Sequence, residues 1–409
     1  MTLDARIVAR VDADHPAAVD FLRELVRVPS DNPPGDCARH AEVAAVLLER
    51  LGFTVERHPV PGATATAAGM VSATNLVVRH RFGPGPVIAL NAHGDVVPPG
   101  TGWTQDPYGG AVIDGAMYGR GVAVSKSDFA TYAFALKALI DAGAPLAGTV
   151  ELHLTYDEES GGAIGPKWLL DQRISRPDYV ICAGFAYGIV TAHNGALHLE
   201  VTVRGKQAHA AMPATGIDAL EAATGVLAAL YAARRAYPAS VSATAGIGSP
   251  QLNVGLIEGG INTNVVPDRV TFRLDRRIIP EERGAAVEAD LRAIIERSIA
   301  GYPGATADIR RIMLAEPLAP VAGSERLTAP LARIGTEEMG AAVEAHGVPL
   351  YTDARHYAAT GIPTVIYGAG PRSILEANAH NADEHLQLDD LRRATRVIAR
   401  TLAEVLAPA

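Results

Sequence analysis

Three carboxylates in a row, Asp157-Glu158-Glu159, stand between an apolar run at 150–155 and the pair Gly161-Gly162. An apolar run of that kind reads as a buried strand, and adjacent acids at its end repel unless a cation or a shared proton offsets them. The glycines let the chain turn sharply and leave the strand end open. Taken alone, the triplet is more often the mark of a solvated turn. Another strand end carries His93-Gly94-Asp95. Residues two apart on a strand face the same side. That spacing suits an imidazole metal ligand beside a carboxylate that either ligates or orients the ring.

The elements that must place these groups can be read from periodicity. Helices are expected at 3–27 and 38–51, the second stopping at Gly52. Strands are expected at 54–60, 75–79 and 87–92, a helix at 126–142, the acidic strand at 150–155 and a covering helix near Trp168. Strands alternating with helices indicate an α/β unit with a mainly parallel sheet flanked by helices. Near Gly195 the pattern changes. A period-two strand at 197–205 is followed by a helix at 217–236, strands at 251–256 and 269–274, a helix at 281–300 and a strand at 307–313. That order is the ferredoxin-like split unit, here inserted into the first domain. The expected organisation is 1–195 and 315–409 for the first domain, with 196–314 as the α+β insert. A strand at 363–367 completes the first sheet.

Composition narrows the function classes. The chain has 409 residues, 48% hydrophobic and 20% charged, which describes a folded two-domain protein. A net charge of -9 argues against nucleic-acid binding. Cys37 and Cys182 are the two cysteines, too few for a disulfide framework or a cysteine-rich zinc site, so a reducing compartment is expected. No window is apolar enough for a signal peptide or a membrane span, and the expectation is a cytoplasmic protein without membrane contact.

Six motifs in order, His93 with Asp95, Glu158-Glu159, His209, Asn264 with Pro267, Asp353-Ala354-Arg355 and the segment 379–384 around His380, resemble one family. It is the di-zinc metallopeptidase family of acetylornithine deacetylase, succinyl-diaminopimelate desuccinylase and the bacterial glutamate carboxypeptidases. The resemblance covers nearly the whole chain, insert included, and implies that the insert is a lid that also mediates dimerisation. By position, His93, Glu159 and His380 resemble metal ligands. Glu158 resembles the general base and Asp95 the carboxylate that holds His93 in one tautomer. His209 resembles a lid histidine that reaches the partner subunit and stabilises an oxyanion. Arg355 resembles a clamp for a substrate carboxylate, and Asn264 falls in the substrate-binding set.

Two of the family's ligand positions are not carboxylates here. Val124 stands where the bridging aspartate follows Gly119-Arg120-Gly121, and Gly184 stands where an acidic ligand follows Asp178-Tyr179. Asp128 and Asp178 are out of register, and Cys182 is either a soft substitute ligand or a buried apolar residue. Two cations without a bridging carboxylate repel strongly. The expectation is therefore one divalent transition metal per chain, zinc, manganese or cobalt, on His93, Glu159 and His380.

The function so implied is hydrolysis of a C–N bond in a small carboxylate-bearing amide, such as an N-acyl amino acid, by Glu-assisted attack of metal-bound water. Two alternatives stay open. One is an aromatic aminohydrolase that releases ammonia from an amino-substituted aromatic acid. The other is a family member that binds a ligand without turnover. The expected partners are the small-molecule substrate and a second copy of the chain, as a homodimer or larger homo-oligomer.

Overall fold

The computed structural model describes residues 1–408. The chain begins with α1 (Leu3–Val26), whose inward stripe is Phe21, Leu22, Leu25 and Val26, and α2 (Ala38–Arg50). β1 (Val55–Pro59), a short α3 (Gly62–Ala67), β2 (Thr74–Arg81) and β3 (Val87–His93) follow. β4 (Ala111–Ile113) and β5 (Ala116–Tyr118) form a hairpin that is not among the expected elements. Its signal was Asp114-Gly115, both at positive φ, the dipeptide that a two-residue hairpin turn demands. Next come α4 (Lys126–Asp141), β6 (Thr149–Thr155), α5 (Pro166–Asp171), β7 (Tyr179–Cys182) and β8 (Ile189–His193).

A second compact unit comprises Ala192–Ala319 and Gly347–Tyr351. It holds β9 (Gly195–Arg204), β10 (Ala208–His209), α6 (Ala219–Arg234), β11 (Gln251–Gly259), β12 (Val265–Val266), β13 (Arg269–Ile278), α7 (Gly284–Ile299) and β14 (Thr306–Ala315). Its four-stranded sheet runs in the order β11-β13-β9-β14, each neighbouring pair antiparallel, which is the ferredoxin-like arrangement. Leu197, Leu199, Val201 and Val203 alternate along β9 into a core that α6 and α7 complete. The short segment 347–351 was not expected in this unit.

The chain then returns through α8 (Glu325–Met339), β15 (Ala345–Val348), α9 (Ala354–Ala358), β16 (Thr364–Ile366), β17 (His385–Gln387) and α10 (Leu388–Val405). The first unit, Met1–Thr191, Pro320–His346 and Thr352–Ala409, carries an eight-stranded sheet ordered β1-β2-β6-β3-β7-β16-β8-β15. The centre is parallel, with β6, β3, β7 and β16 side by side, and the pairs β1–β2, β2–β6 and β16–β8 are antiparallel. The alanine-rich α4 lies buried along almost its whole length and packs on α1 and α10. Small side chains allow that close approach, and Phe129, Phe134 and Leu136 fill what remains. Among the described residues no helix is long and apolar enough to cross a membrane.

Parallel strands direct their C-terminal ends to one edge of a sheet. β3 ends at His93, β6 ends one residue before Tyr156, and β7 ends at Cys182. Ligand sites in open α/β sheets form along that edge.

Candidate active site

His93, only 7% exposed, is the last residue of β3. Ser125 fixes its backbone from both sides, accepting from His93 N–H at 3.2 Å and donating to His93 O at 3.1 Å. The ring Nδ1 lies 2.9 Å from Asp95 O and 3.4 Å from Asp95 Oδ1. A carbonyl only accepts, so Nδ1 carries a proton, and Nε2 is the nitrogen left to meet a cation.

Asp95 is fully buried and ties three segments together. It accepts from Asn32 Nδ2 at 2.9 Å, from Glu158 N–H at 3.3 Å and from Glu159 N–H at 3.2 Å. The two backbone bonds hold the 3-10 turn Glu158–Ser160 against the end of β3. Asp157, which leads into that turn, has φ +139, a region that non-glycine residues rarely enter. Strain of that kind persists where the surroundings over-determine it, and here it aims Glu158 and Glu159 toward His93. Among the described residues, one group of metal-ligating atoms falls within 4.8 Å of one another: His93, Glu158 and Glu159.

The electrostatics are lopsided. Burial pushes the Glu158 carboxyl well above its usual range; His93 opposes this, and the charges of Glu159, Asp353 and Asp95 add to it. Burial likewise raises Asp157, with Asp353 and Asp95 as its nearest repulsive charges. Asp353 is raised by burial to about 6 against the opposing pull of Arg355 and His93. Burial disfavours the His93 cation, yet its bond to Asp95 and the surrounding carboxylates lift it well above its ordinary value. Asp95 alone is held low: hydrogen bonds from His93, Asn32 and the turn outweigh its burial.

Four oxygens in this cluster, Asp157 Oδ1, Glu159 Oε1 and both of Asp353, are buried without a hydrogen-bond partner. Glu159 Oε1 faces His380 Nε2 at 3.3 Å but out of line for a hydrogen bond. A buried, unpaired carboxylate costs on the order of several kcal/mol. One imidazole nitrogen with convergent carboxylates is a donor set that fits a divalent zinc-, manganese- or cobalt-type cation. The residues present therefore fit a metal.

The structure brings His93, Asp95, Glu158 and Glu159 together, with His380 joining through Glu159. Arg355 differs from an open substrate clamp. It is 5% exposed, and its fork donates to Thr352 O at 2.7 Å and to Gly161 O, on the far side of the acidic turn. Guanidinium-to-carbonyl bonds of that sort brace a turn. His209 and Asn264 lie on the second unit, where β10 pairs with β12 and Ala210 N–H donates to Asn264 O at 3.1 Å. Both are exposed, with His209 Nδ1 accepting from Ala211 N–H.

The two altered ligand positions are as devoid of donors in space as in sequence. Val124 contributes only its N–H, which points to Glu384 Oε1 at 3.4 Å. At Gly184 a Cβ would come within 2.2 Å of Ile366 Cγ2, so β16 fills the space a side chain would need. Gly184 N–H instead donates to Asp128 Oδ2 at 3.1 Å, and Ala369 N–H donates to Asp128 Oδ1 at 2.7 Å. Asp128 thus caps backbone and lies outside the group of three. Cys182 is buried in β7, as an apolar residue would be. Asp178 sits at the opposite end of that strand, accepting from Val87 N–H.

Three contributors escaped the sequence reading. Asn32 lies in a proline-rich loop whose composition carries no sign of its bond to Asp95. Glu384 belongs to a quoted motif, but its partners are Arg120 and the backbone of 121–124. Asp353 was visible only as the neighbour of Arg355.

Comparison with known proteins agrees with this architecture. The model of peptidase family M20/M25/M40 matches residues 89–404. The succinyl-diaminopimelate desuccinylase of Acidiphilium cryptum (strain JF-5) is 30% identical over 404 residues, covering 95% of this chain and 98% of that protein. Among solved structures, aminopeptidase PepT from Bacillus cereus ATCC 10987 superposes with a TM-score of 0.74 at 24% identity, covering 96% of this chain and 98% of that one. The YXEP protein of Bacillus subtilis, a dinuclear metal-binding peptidase, gives 0.67 at 18% identity, covering 97% and 99%. With a family model spanning most of its length and a full-length relative at this identity, the chain belongs to peptidase family M20/M25/M40.

Proposed function

We propose that this chain hydrolyses the amide C–N bond of a small carboxylate-bearing substrate with the help of one divalent cation, held by His93, Glu159 and His380. The reaction class follows from the family, whose members are metallohydrolases of C–N bonds. The observation that carries the one-cation reading is the pair Val124 and Gly184. Neither position offers a donor, while His93, Glu158 and Glu159 still converge. Two cations at close range with no carboxylate between them would repel.

When bound, the cation supplies Lewis-acid polarisation of the substrate carbonyl and lowers the pKa of a water beside it. Glu158 takes the proton of the attacking water and returns it to the departing nitrogen. Asp95 fixes the tautomer of His93 and, through the backbone of Glu158 and Glu159, the position of the base. Arg355 and its bond to Gly161 O keep the turn in place, a positioning role instead of a direct grip on substrate. His209, from a second copy of the chain, is assigned to the negative charge that develops on the carbonyl oxygen, and Asn264 to substrate binding.

The test is metal stoichiometry on protein purified without chelator, for the wild type and for His93→Ala and His380→Ala. One metal per chain, lost in both variants, is the expected result. Two per chain would remove the one-cation reading. None after loading with zinc, manganese or cobalt would leave a ligand-binding protein. Glu158→Gln should lower turnover by roughly 10²- to 10⁴-fold with stoichiometry unchanged. Retained turnover would take Glu158 out of the base role.

A further inference from the structure

Asp353 is not needed by any step above, and its surroundings are unusual. It precedes α9 at the N-cap position, where an aspartate ordinarily accepts a helix N–H, yet its side chain makes no such bond. The carboxylate is only 4% exposed, and both of its oxygens lack a hydrogen-bond partner. The chain also makes room for it. Gly162 has φ +70, and a Cβ there would lie 2.1 Å from Asp353 Oδ1 and 2.6 Å from His356 Nε2. The carboxylate therefore rests directly against the acidic turn.

The charges that act on Asp353 are Arg355, His93, Asp95 and Glu159, and Asp353 acts in turn on Asp157, Glu158 and Cys182. Arg355 donates to Thr352 O and to Gly161 O. Arg355 and His93 offset the charge of Asp353 in part, but a buried carboxylate that accepts no hydrogen bond is still costly, and a nearby cation would offset it further. Asp353 does not join the group whose ligand atoms converge within 4.8 Å and is therefore not one of the direct ligands there.

We infer that Asp353 is a positioning residue of the cation site: its buried, unpartnered carboxylate supplies the negative charge that Val124 and Gly184 do not, and so retains the single cation. The inference rests on the one-cation reading above. It separates two roles that a missing contact cannot separate. A carboxylate kept for structure should stabilise the protein without metal. One kept for the cation should destabilise the metal-free protein and tighten its grip on the metal.

The experiment is titration of the metal-free protein with Mn²⁺ and with Zn²⁺ by calorimetry, with melting temperatures measured before and after loading. Wild type, Asp353→Asn, Asp353→Ser and His93→Ala are compared. The expected result is binding roughly 10- to 100-fold weaker in both Asp353 variants. Their metal-free melting temperature should be unchanged or raised by about 2 °C or more, because a buried charge has gone. Affinity within twofold of wild type would overturn the inference and leave the one-cation reading intact. A metal-free protein that melts earlier or fails to fold in both variants would also overturn it, in favour of a structural role. No binding by the wild type itself would overturn the cation reading and the inference together.

Discussion

Two buried carboxylate clusters lie in the first unit, and they solve the same problem in opposite ways. Glu384 is fully buried, yet both of its oxygens are engaged. Oε2 meets Arg120, while Oε1 accepts from Gly121 N–H at 3.1 Å and Ala123 N–H at 3.0 Å. Arg120 in turn donates to Pro99 O and lies over Trp103. The carboxylate of that cluster is closed off by donors, with Arg120 Nε left without a partner. The acidic turn and the neighbouring Asp353 hold oxygens of Asp157, Glu159 and Asp353 that accept no hydrogen bond, with His380 Nε2 standing 3.3 Å from Glu159 Oε1 as an ion-pair partner. Buried negative charge alone therefore does not set the two clusters apart; the supply of donors from the chain does.

Breaking the closed cluster should give the largest effect. Glu384→Gln leaves Arg120 buried without its counter-charge and should cost roughly 3–5 kcal/mol in urea unfolding. That loss should be the same with and without Mn²⁺. Recovery on adding metal would mean that Glu384 belongs to the open cluster after all.

Asp128 lies between the two cases, with both oxygens bonded to backbone but no cationic partner. Burial lifts its carboxyl to about 7 from an unfolded value of 3.8. Between those two values the folded protein holds the proton and the unfolded chain has lost it. Stability from this group is thus greatest in acid, falls as pH rises from about 4 to about 7, and is level beyond, by at most about 4 kcal/mol. In metal-free protein, Asp128→Asn should flatten that part of the stability curve. An unchanged slope would show that the two backbone bonds hold the carboxylate charged throughout.

The smallest effect sharpens the boundary of the open cluster. Asn32→Ala removes the donor to Asp95 Oδ2, and with it a 3.1 Å bond to Ser160 Oγ. The expected loss is about 1–2 kcal/mol, with cation affinity weakened far less than in His93→Ala. A collapse of affinity comparable to that of His93→Ala would place Asn32 among the groups that set the metal geometry.

Periodicity and strand-end chemistry were enough to locate His93, Asp95 and the acidic turn, because each is encoded within a few residues. The split ferredoxin-like order was likewise local in its signals, with β9 alternating cleanly and α6 and α7 amphipathic. What escaped was long-range and directional. Asn32 meets Asp95 across 63 positions, and Arg120 meets Glu384 across 264. Arg355 has the residue type of a substrate clamp, but which way its fork points depends on where Gly161 ends up. The hairpin of β4 and β5 is too short for periodicity and was announced only by Asp114-Gly115. Asp353 shows the limit most clearly, since the absence of a partner is a property of the folded surroundings and leaves no trace in composition.

The packing at Gly184 bears on how readily the strand end could take a new side chain. A carboxylate introduced at Val124 alone would have no companion at Gly184. A side chain introduced at Gly184 would strike the Ile366 methyl at 2.2 Å, with Tyr367 N only 3.3 Å away. Ile366 is a β-branched residue in a buried strand and has little freedom to step aside. A side-chain donor at Gly184 therefore needs room that a smaller residue at Ile366 would have to supply, so the double change, and not Gly184→Glu alone, is the route to a carboxylate at this strand end.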